Sequence, residues 1–184
     1  MKIREKGQLM SAAEIDRTLM RLAHEIVERN SGIDQVALVG IRRRGVPLAE
    51  RLAARIEQTV KKKVLVATTI DVTLYRDDLS TVAPQPVVKT KDLGVAVDGR
   101  TLILVDDVLY TGRTIRASMN ALFSYGRPAR VHLCVLIDRG WRELPIEANY
   151  VGRNVQTAAN EIIEVRLKEV DSEERVLLVE KVDE

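Results

Sequence analysis

Residues 101–114, TLILVDDVLYTGRT, set two adjacent carboxylates, Asp106 and Asp107, at the end of an apolar run and just ahead of a turn built from Thr111, Gly112, Arg113 and Thr114. Glycine lets a backbone approach a ligand closely, and a helix that starts after the turn aims its unpaired N–H groups back at it. Two threonine hydroxyls and those N–H groups make a cradle suited to a phosphate monoester. The acids lie where they could accept hydrogen bonds from vicinal hydroxyls, as on a ribose whose 5′-phosphate fills the cradle. Two carboxylates could also hold Mg²⁺ directly or through water. An isolated Asp pair after a strand more often serves as an N-cap or Asx-turn. Here the apolar strand before it and the T-G-x-T turn after it favour a ligand. The G-x-x-x-x-G-K loop of nucleoside triphosphatases is absent, and no G-x-G-x-x-G follows the first strand, which sets aside NTP hydrolysis and dinucleotide redox chemistry.

The elements that must hold these groups are readable from period and punctuation. In SAAEIDRTLMRLAHEIVERN, Ser11 and Glu14 have capping-box spacing, so a helix is expected to begin there. Ile15, Leu19, Leu22, Ala23 and Ile26 fall on one stripe of it, with Arg17, Arg21, His24 and Glu28 opposite. QVALVGI (35–41) reads as a strand, followed by the basic turn RRRG and a helix with Pro47 in its first turn. KVLVATTIDVTLY (63–75) reads as a second strand, TLILVDDV as a third, RTIRASMNALFSYG as a helix closed by Gly126, and RVHLCVLIDRG as a fourth strand. Apolar strands alternating with helices predict an α/β fold, a mainly parallel sheet flanked by helices. Its ligands should bind beyond the carboxyl ends of the strands, where Asp106 and Asp107 lie. Residues 76–99 show no sustained period, and a loop of that length is usually functional or mobile. The tail segments EIIEVRLKEV and RVLLVEKV, joined by DSEE, suggest an antiparallel hairpin.

Length and composition bound the rest. A chain of 184 residues, 46% hydrophobic, predicts one domain spanning 1–184. No apolar run approaches the roughly 20 residues needed to cross a bilayer, and MKIREKGQLM lacks a secretory core, so a cytoplasmic protein with no membrane partner is expected. The single cysteine, Cys134, lies within VHLCVLI, which excludes disulfides and thiolate zinc sites and predicts a buried apolar side chain. Net charge is only +2. Its distribution is uneven, however: residues 41–63 carry eight Lys or Arg against two Glu, and residues 161–184 carry nine acids against four bases. Aromatic residues make up 3% of the chain, which argues against reading single-stranded bases by stacking on exposed rings.

LILVDDVLYTGRT resembles the phosphoribosyl diphosphate (PRPP) signature of the type I phosphoribosyltransferases. RLAHEIVERN, LVGIRRRGVPLAERLA, IDVTLYRDDLS, VDDVLYTGRTIRASMNAL and DRGWRELPIEANYVGRNV together resemble one family among them, the PyrR family of pyrimidine-operon attenuators with uracil phosphoribosyltransferase activity. The resemblance implies a type I phosphoribosyltransferase-like fold with a mobile lid loop. It implies that Asp106 and Asp107 contact ribose hydroxyls, that Thr111, Gly112, Arg113 and Thr114 hold the 5′-phosphate, and that Arg44 and Gly45 form the diphosphate turn. Arg76 would be the anion contact of the lid, with Asp77 and Asp78 either assisting through Mg²⁺-bound water or shaping the loop. Mg²⁺ is expected with PRPP, with Asp107 as its candidate protein contact and no dedicated metal site.

Purine-specific relatives place an Asp three residues after the acidic pair, where this chain has Tyr110. A phenol, ionising near ~10, is a poor general base at neutral pH, so uracil is the expected base. Ile137 and Asp138, in LIDRG, would read its edge through backbone groups. The family also implies UMP or UTP as effectors, a homodimer or homotetramer, and a leader-mRNA stem-loop on a basic face formed by Arg21, His24, Arg29, Arg42, Arg142 and Arg153. Departures from the family pattern stand at Met20, Trp141, Glu147 and residues 156–161. The alternative is a phosphoribosyltransferase without an RNA-binding role.

Overall fold

The computed structural model describes residues 2–70 and 93–182. Strand β1 (Lys2–Ser11) leads into helix α1 (Ala12–Arg29), then β2 (Val36–Ile41), α2 (Gly45–Val60) and β3 (Leu65–Ile70). After the undescribed stretch come β4 (Thr101–Leu109), α3 (Arg113–Phe123), β5 (Arg130–Asp138), β6 (Tyr150–Asn154), β7 (Glu161–Arg166), the single turn α4 (Lys168–Asp171) and β8 (Arg175–Val182). Five strands form a parallel sheet in the order β3-β2-β4-β5-β6, and β1, β8 and β7 form a separate antiparallel sheet.

Successive side chains of a strand point to opposite faces, and here both faces are covered. Val36 and Leu38 of β2, Ile103 and Val105 of β4, and Cys134 and Leu136 of β5 pack with the apolar stripe of α1 and with Leu48, Leu52 and Ile56 of α2. Their alternates, Ala37, Val39, Leu102, Leu104, Leu133 and Val135, pack with Ile115, Ala117, Ala121 and Leu122 of α3. Each fully buried Leu or Ile contributes on the order of 1.5–3 kcal/mol. Helix α1 starts as its spacing predicts: Ser11 N–H donates to Glu14 Oε2 at 2.8 Å, and Glu14 N–H donates back to Ser11 Oγ at 3.4 Å. The Ser11 N–H and hydroxyl both donate to the Glu14 carboxylate, and draw it below its usual range. Burial pushes the Cys134 thiol up to about 12, so it behaves as a small apolar side chain. No helix among the described residues is long and apolar enough to cross a membrane.

Two expectations are revised, and a third falls outside the described residues. Strands β1 and β6 are not apparent in the sequence. The C-terminal hairpin is real, but α4 interrupts its connection, and β1 joins it through β8 to make a three-stranded sheet. The second strand is described only to Ile70, so the remainder of residues 63–75 and the expected lid, with Arg76, Asp77 and Asp78, lie outside the described residues.

Candidate functional site

Strand order decides where a ligand crevice can form. From β2 the chain passes through α2 to β3 on one side, then returns to β4 on the other. The gap between the carboxyl ends of β2 and β4 is therefore a topological switch point, where open α/β sheets bind ligands. Residues 42–45 leave β2 there, and Asp106 and Asp107 sit in the last residues of β4. The 42–45 turn packs directly against β4. A Cβ built on Gly45 would lie 2.2 Å from the Val105 carbonyl oxygen and 3.3 Å from Asp106 Cα, so only glycine allows α2 to begin this close to the acid pair.

Asp106 is 7% exposed, and its Oδ1 accepts the Asp107 N–H at 3.0 Å. Asp107 is half-buried. One oxygen of Asp106 is thus engaged by its own neighbour, while Asp107 is the more accessible carboxylate of the pair. Gly112, at φ +93°, takes the left-handed conformation that lets α3 begin at Arg113. Thr111 Oγ1 accepts the Arg113 N–H at 3.3 Å, and the Thr111 carbonyl accepts the N–H groups of Glu143 and Leu144. Arg113 pairs with Glu143 at 2.6 Å. Thr114 follows in the first turn of α3, half-buried.

Arg44 precedes α2, and its guanidinium forks onto Asp171 of α4, with Nε to Oδ2 at 3.0 Å and Nη2 to Oδ1 at 2.6 Å. That hydrogen bonding outweighs burial and holds the guanidinium above its usual range, with Asp107 a further negative neighbour. Asp171 also accepts the Leu167 N–H at 3.0 Å, and its carboxyl is held below the usual range, chiefly by Arg44.

The carboxyl end of β5 closes the third side. Ile137 is fully buried in the core, so only its backbone could meet a base. Asp138 accepts the Gly140 N–H on Oδ1 at 2.9 Å and pairs with Arg142 through Oδ2. The Asp138 carbonyl accepts the Val155 N–H, and the Arg139 N–H donates to Leu109. Several backbone groups expected to read a base edge are therefore already engaged, although a carbonyl oxygen keeps a second lone pair. Arg139, which sequence reasoning passed over, is 6% exposed and lies 4.1 Å from the ring centroid of Tyr110, itself 41% exposed. The available signal was a cation directly after a buried strand, the same cue that drew attention to Asp106. Asp171 carried no signal at all within an acidic tail.

The residues expected to form one basic face divide. Arg21 donates to the carbonyls of Val151 (3.0 Å) and Gly152 (2.6 Å), Arg29 to that of Asn149 (2.8 Å), and Arg153 to that of Leu9, so these three line the junction of α1 and β6. Arg17, Arg21 and Arg153 share a groove there with Met10, Glu14, Thr18 and Gly152. His24 is exposed on the same helix. Arg142 belongs instead to the β5 end, where it also donates to the carbonyls of Tyr110 (2.8 Å) and Ile146 (2.9 Å). Arg42 is exposed in the turn after β2. Trp141 is half exposed, its indole N–H donating to the Thr157 carbonyl at 2.8 Å, and Glu147 is exposed. No group of three His, Cys, Asp or Glu that could hold a metal occurs among the described residues.

Residues 7–170 match the family model described as the phosphoribosyl transferase domain. Curated relatives called bifunctional protein PyrR include that of Thermoanaerobacter sp. (strain X514), 58% identical over 181 residues, covering 98% of this chain and 100% of the relative. That of Pelotomaculum thermopropionicum is 55% identical over 177 residues, covering 96% and 97%. Among solved structures, a hypoxanthine phosphoribosyltransferase of Trypanosoma cruzi superposes with a TM-score of 0.72 at 18% identity, over 96% of this chain and 97% of that one. One from Staphylococcus aureus gives 0.68 at 19%, over 97% and 93%. At that identity the solved structures speak for the fold alone.

Proposed function

The chain belongs to the phosphoribosyl transferase domain family and, within it, to the bifunctional PyrR proteins, and from that premise we propose that it carries two activities on one site. It transfers the phosphoribosyl group of PRPP to uracil, giving UMP and diphosphate. With UMP or UTP in the same site it binds a stem-loop of the pyrimidine leader mRNA and regulates pyrimidine biosynthesis by transcription attenuation. The same reading makes it a cytoplasmic homodimer or homotetramer. The observation that carries the enzymatic half is the acid pair of β4 followed by the Gly112 turn at the switch point, with the residue 42–45 turn across the gap.

In the transfer, uracil N1 bonds to C1 of the ribose while the C1–O bond to diphosphate breaks. The electron pair leaves with diphosphate, and the N1 proton passes to water. Such a reaction is governed by positioning and electrostatics. Asp107 and Asp106 accept hydrogen bonds from the ribose hydroxyls and offset positive charge developing on the ring. The turn from Thr111 to Thr114 holds the 5′-phosphate at the N-terminus of α3. The turn ending at Arg44 and Gly45 faces the diphosphate. Ile137 and Asp138 offer carbonyl acceptors to the base, beside Tyr110. The hard oxygen donors fit Mg²⁺, with one protein contact at Asp107 and the remaining oxygens from substrate and water, since no protein cage exists among the described residues. When bound with PRPP, the ion neutralises charge on the diphosphate.

Purified protein supplied with uracil, PRPP and Mg²⁺ is expected to form UMP, and Asp107→Asn to lose at least about 100-fold in kcat/KM. Full activity in that variant removes the ribose assignment. A phosphoribosyltransferase without the RNA role is the second reading, favoured by the exposed Glu147, which would repel a phosphate backbone.

A further inference from the structure

Arg139 is the only cation among the buried polar and charged residues described, a set that otherwise comprises Thr101, Asp106, Ser118, Glu161 and Glu180. A buried guanidinium is costly unless its donors are well placed. Here no carboxylate of the described residues forms a salt bridge with it. Its donors go instead to the β6–β7 connection and the start of β7: Nε to Thr157 Oγ1 at 3.1 Å and Nη2 to the Glu161 carbonyl at 2.8 Å. Its guanidinium carbon lies over the Tyr110 ring, 4.1 Å from the centroid. The indole of Trp141 holds the same Thr157 from its carbonyl side, and the Glu161 carboxylate closes the segment by accepting the Ala158 N–H at 2.6 Å. A planar fork that stacks on a ring while reaching two acceptors is something arginine can do and lysine cannot. One side chain therefore sets the spacing between the ends of β4 and β5 and the β6–β7 connection.

Resting on the uracil phosphoribosyltransferase reading, we infer that Arg139 is a positioning residue of the base subsite, acting through Tyr110 and residues 155–161 rather than by touching substrate. It should therefore govern the handling of the base while leaving that of PRPP alone. In steady-state assays with each substrate varied in turn, Arg139→Lys is expected to raise the uracil KM roughly tenfold and to move the PRPP KM by less than about twofold. Thr157→Val removes one acceptor at nearly constant shape and is expected to do the same to a smaller extent. It decides the matter if the lysine variant does not fold.

The chain has one tryptophan, Trp141, so its emission reports on the clamp without any turnover. A red shift in Arg139→Lys or Thr157→Val supports the assignment. Parallel rises in both KM values, or a lowered melting temperature with neither KM moved, overturn it and leave Arg139 a prop for the sheet. If the wild-type protein makes no UMP, the enzymatic reading fails, and the subsite assignment falls with it. The clamp is then judged by emission alone, and an unshifted Trp141 in both variants disproves it too.

Discussion

Gly45 is glycine for want of space. Its missing Cβ would meet the Val105 carbonyl at 2.2 Å, a backbone atom that cannot swing aside, so Gly45→Ala must push α2 away from β4. Overpacking of this kind costs about 1–3 kcal/mol, and the displaced atoms include Asp106 Cα. The expected outcome is a lower denaturant midpoint together with a loss of UMP formation larger than the stability loss explains. At this scale the acid pair, the Gly112 turn and the burial of Cys134 were legible, because each is a local pattern with a local cause. The partner of Arg44 was not, since Asp171 lies 127 positions away in an unremarkable acidic stretch.

Helix α1 announced itself through its cap and its period, and its buried stripe is the one the spacing picks out. Strand β1 did not, because KIREKGQLMS has no apolar run. It is held by backbone pairing to β8 and by charges set across the strands, Arg4 on Glu180 and Lys6 on Glu161. Strand β6 is five residues long, and its Gly152 lets it lie against β5, where a Cβ would come within 2.3 Å of the Leu136 carbonyl. The junction of α1 with β6 carries Arg17, Arg21 and Arg153. On the proposed regulatory reading, RNA binding there falls steeply with salt, as expected when phosphates displace counterions. Titrations of a leader stem-loop between low and physiological salt should show that slope, and Glu147→Arg should tighten binding. Sub-micromolar affinity with no salt dependence excludes this surface.

Across the whole molecule, the second sheet is latched to the first where the residue 42–45 turn leaves β2. Arg44 grips Asp171, and about two helical turns further on Arg51 bridges Glu169 and Glu174. The Arg44 and Asp171 side chains are 27% and 18% exposed, so their charge-assisted bonds are worth about 1.5 kcal/mol. The folded Asp171 carboxyl sits below its ordinary range. Its stabilising contribution is therefore complete above the unfolded value, about 3.9, and is lost as pH falls through the lower folded value. Asp171→Asn is expected to be less stable than wild type near neutrality and to match it at strongly acidic pH. Equal stabilities at pH 7 in paired denaturant titrations would show that the latch is idle.

The amino-acid order alone determined the parallel sheet, its helices, the acid pair at a strand's carboxyl end and the phosphate-sized turn after it, because period, caps and turn residues act within a few positions of one another. Only the tertiary structure decided the strand order that opens a crevice between β2 and β4, the recruitment of β1 into a second sheet, the Asp171 grip on Arg44 and the buried Arg139 beneath Tyr110. Each of these depends on groups brought together from distant parts of the chain, whose meeting has no trace in local spacing.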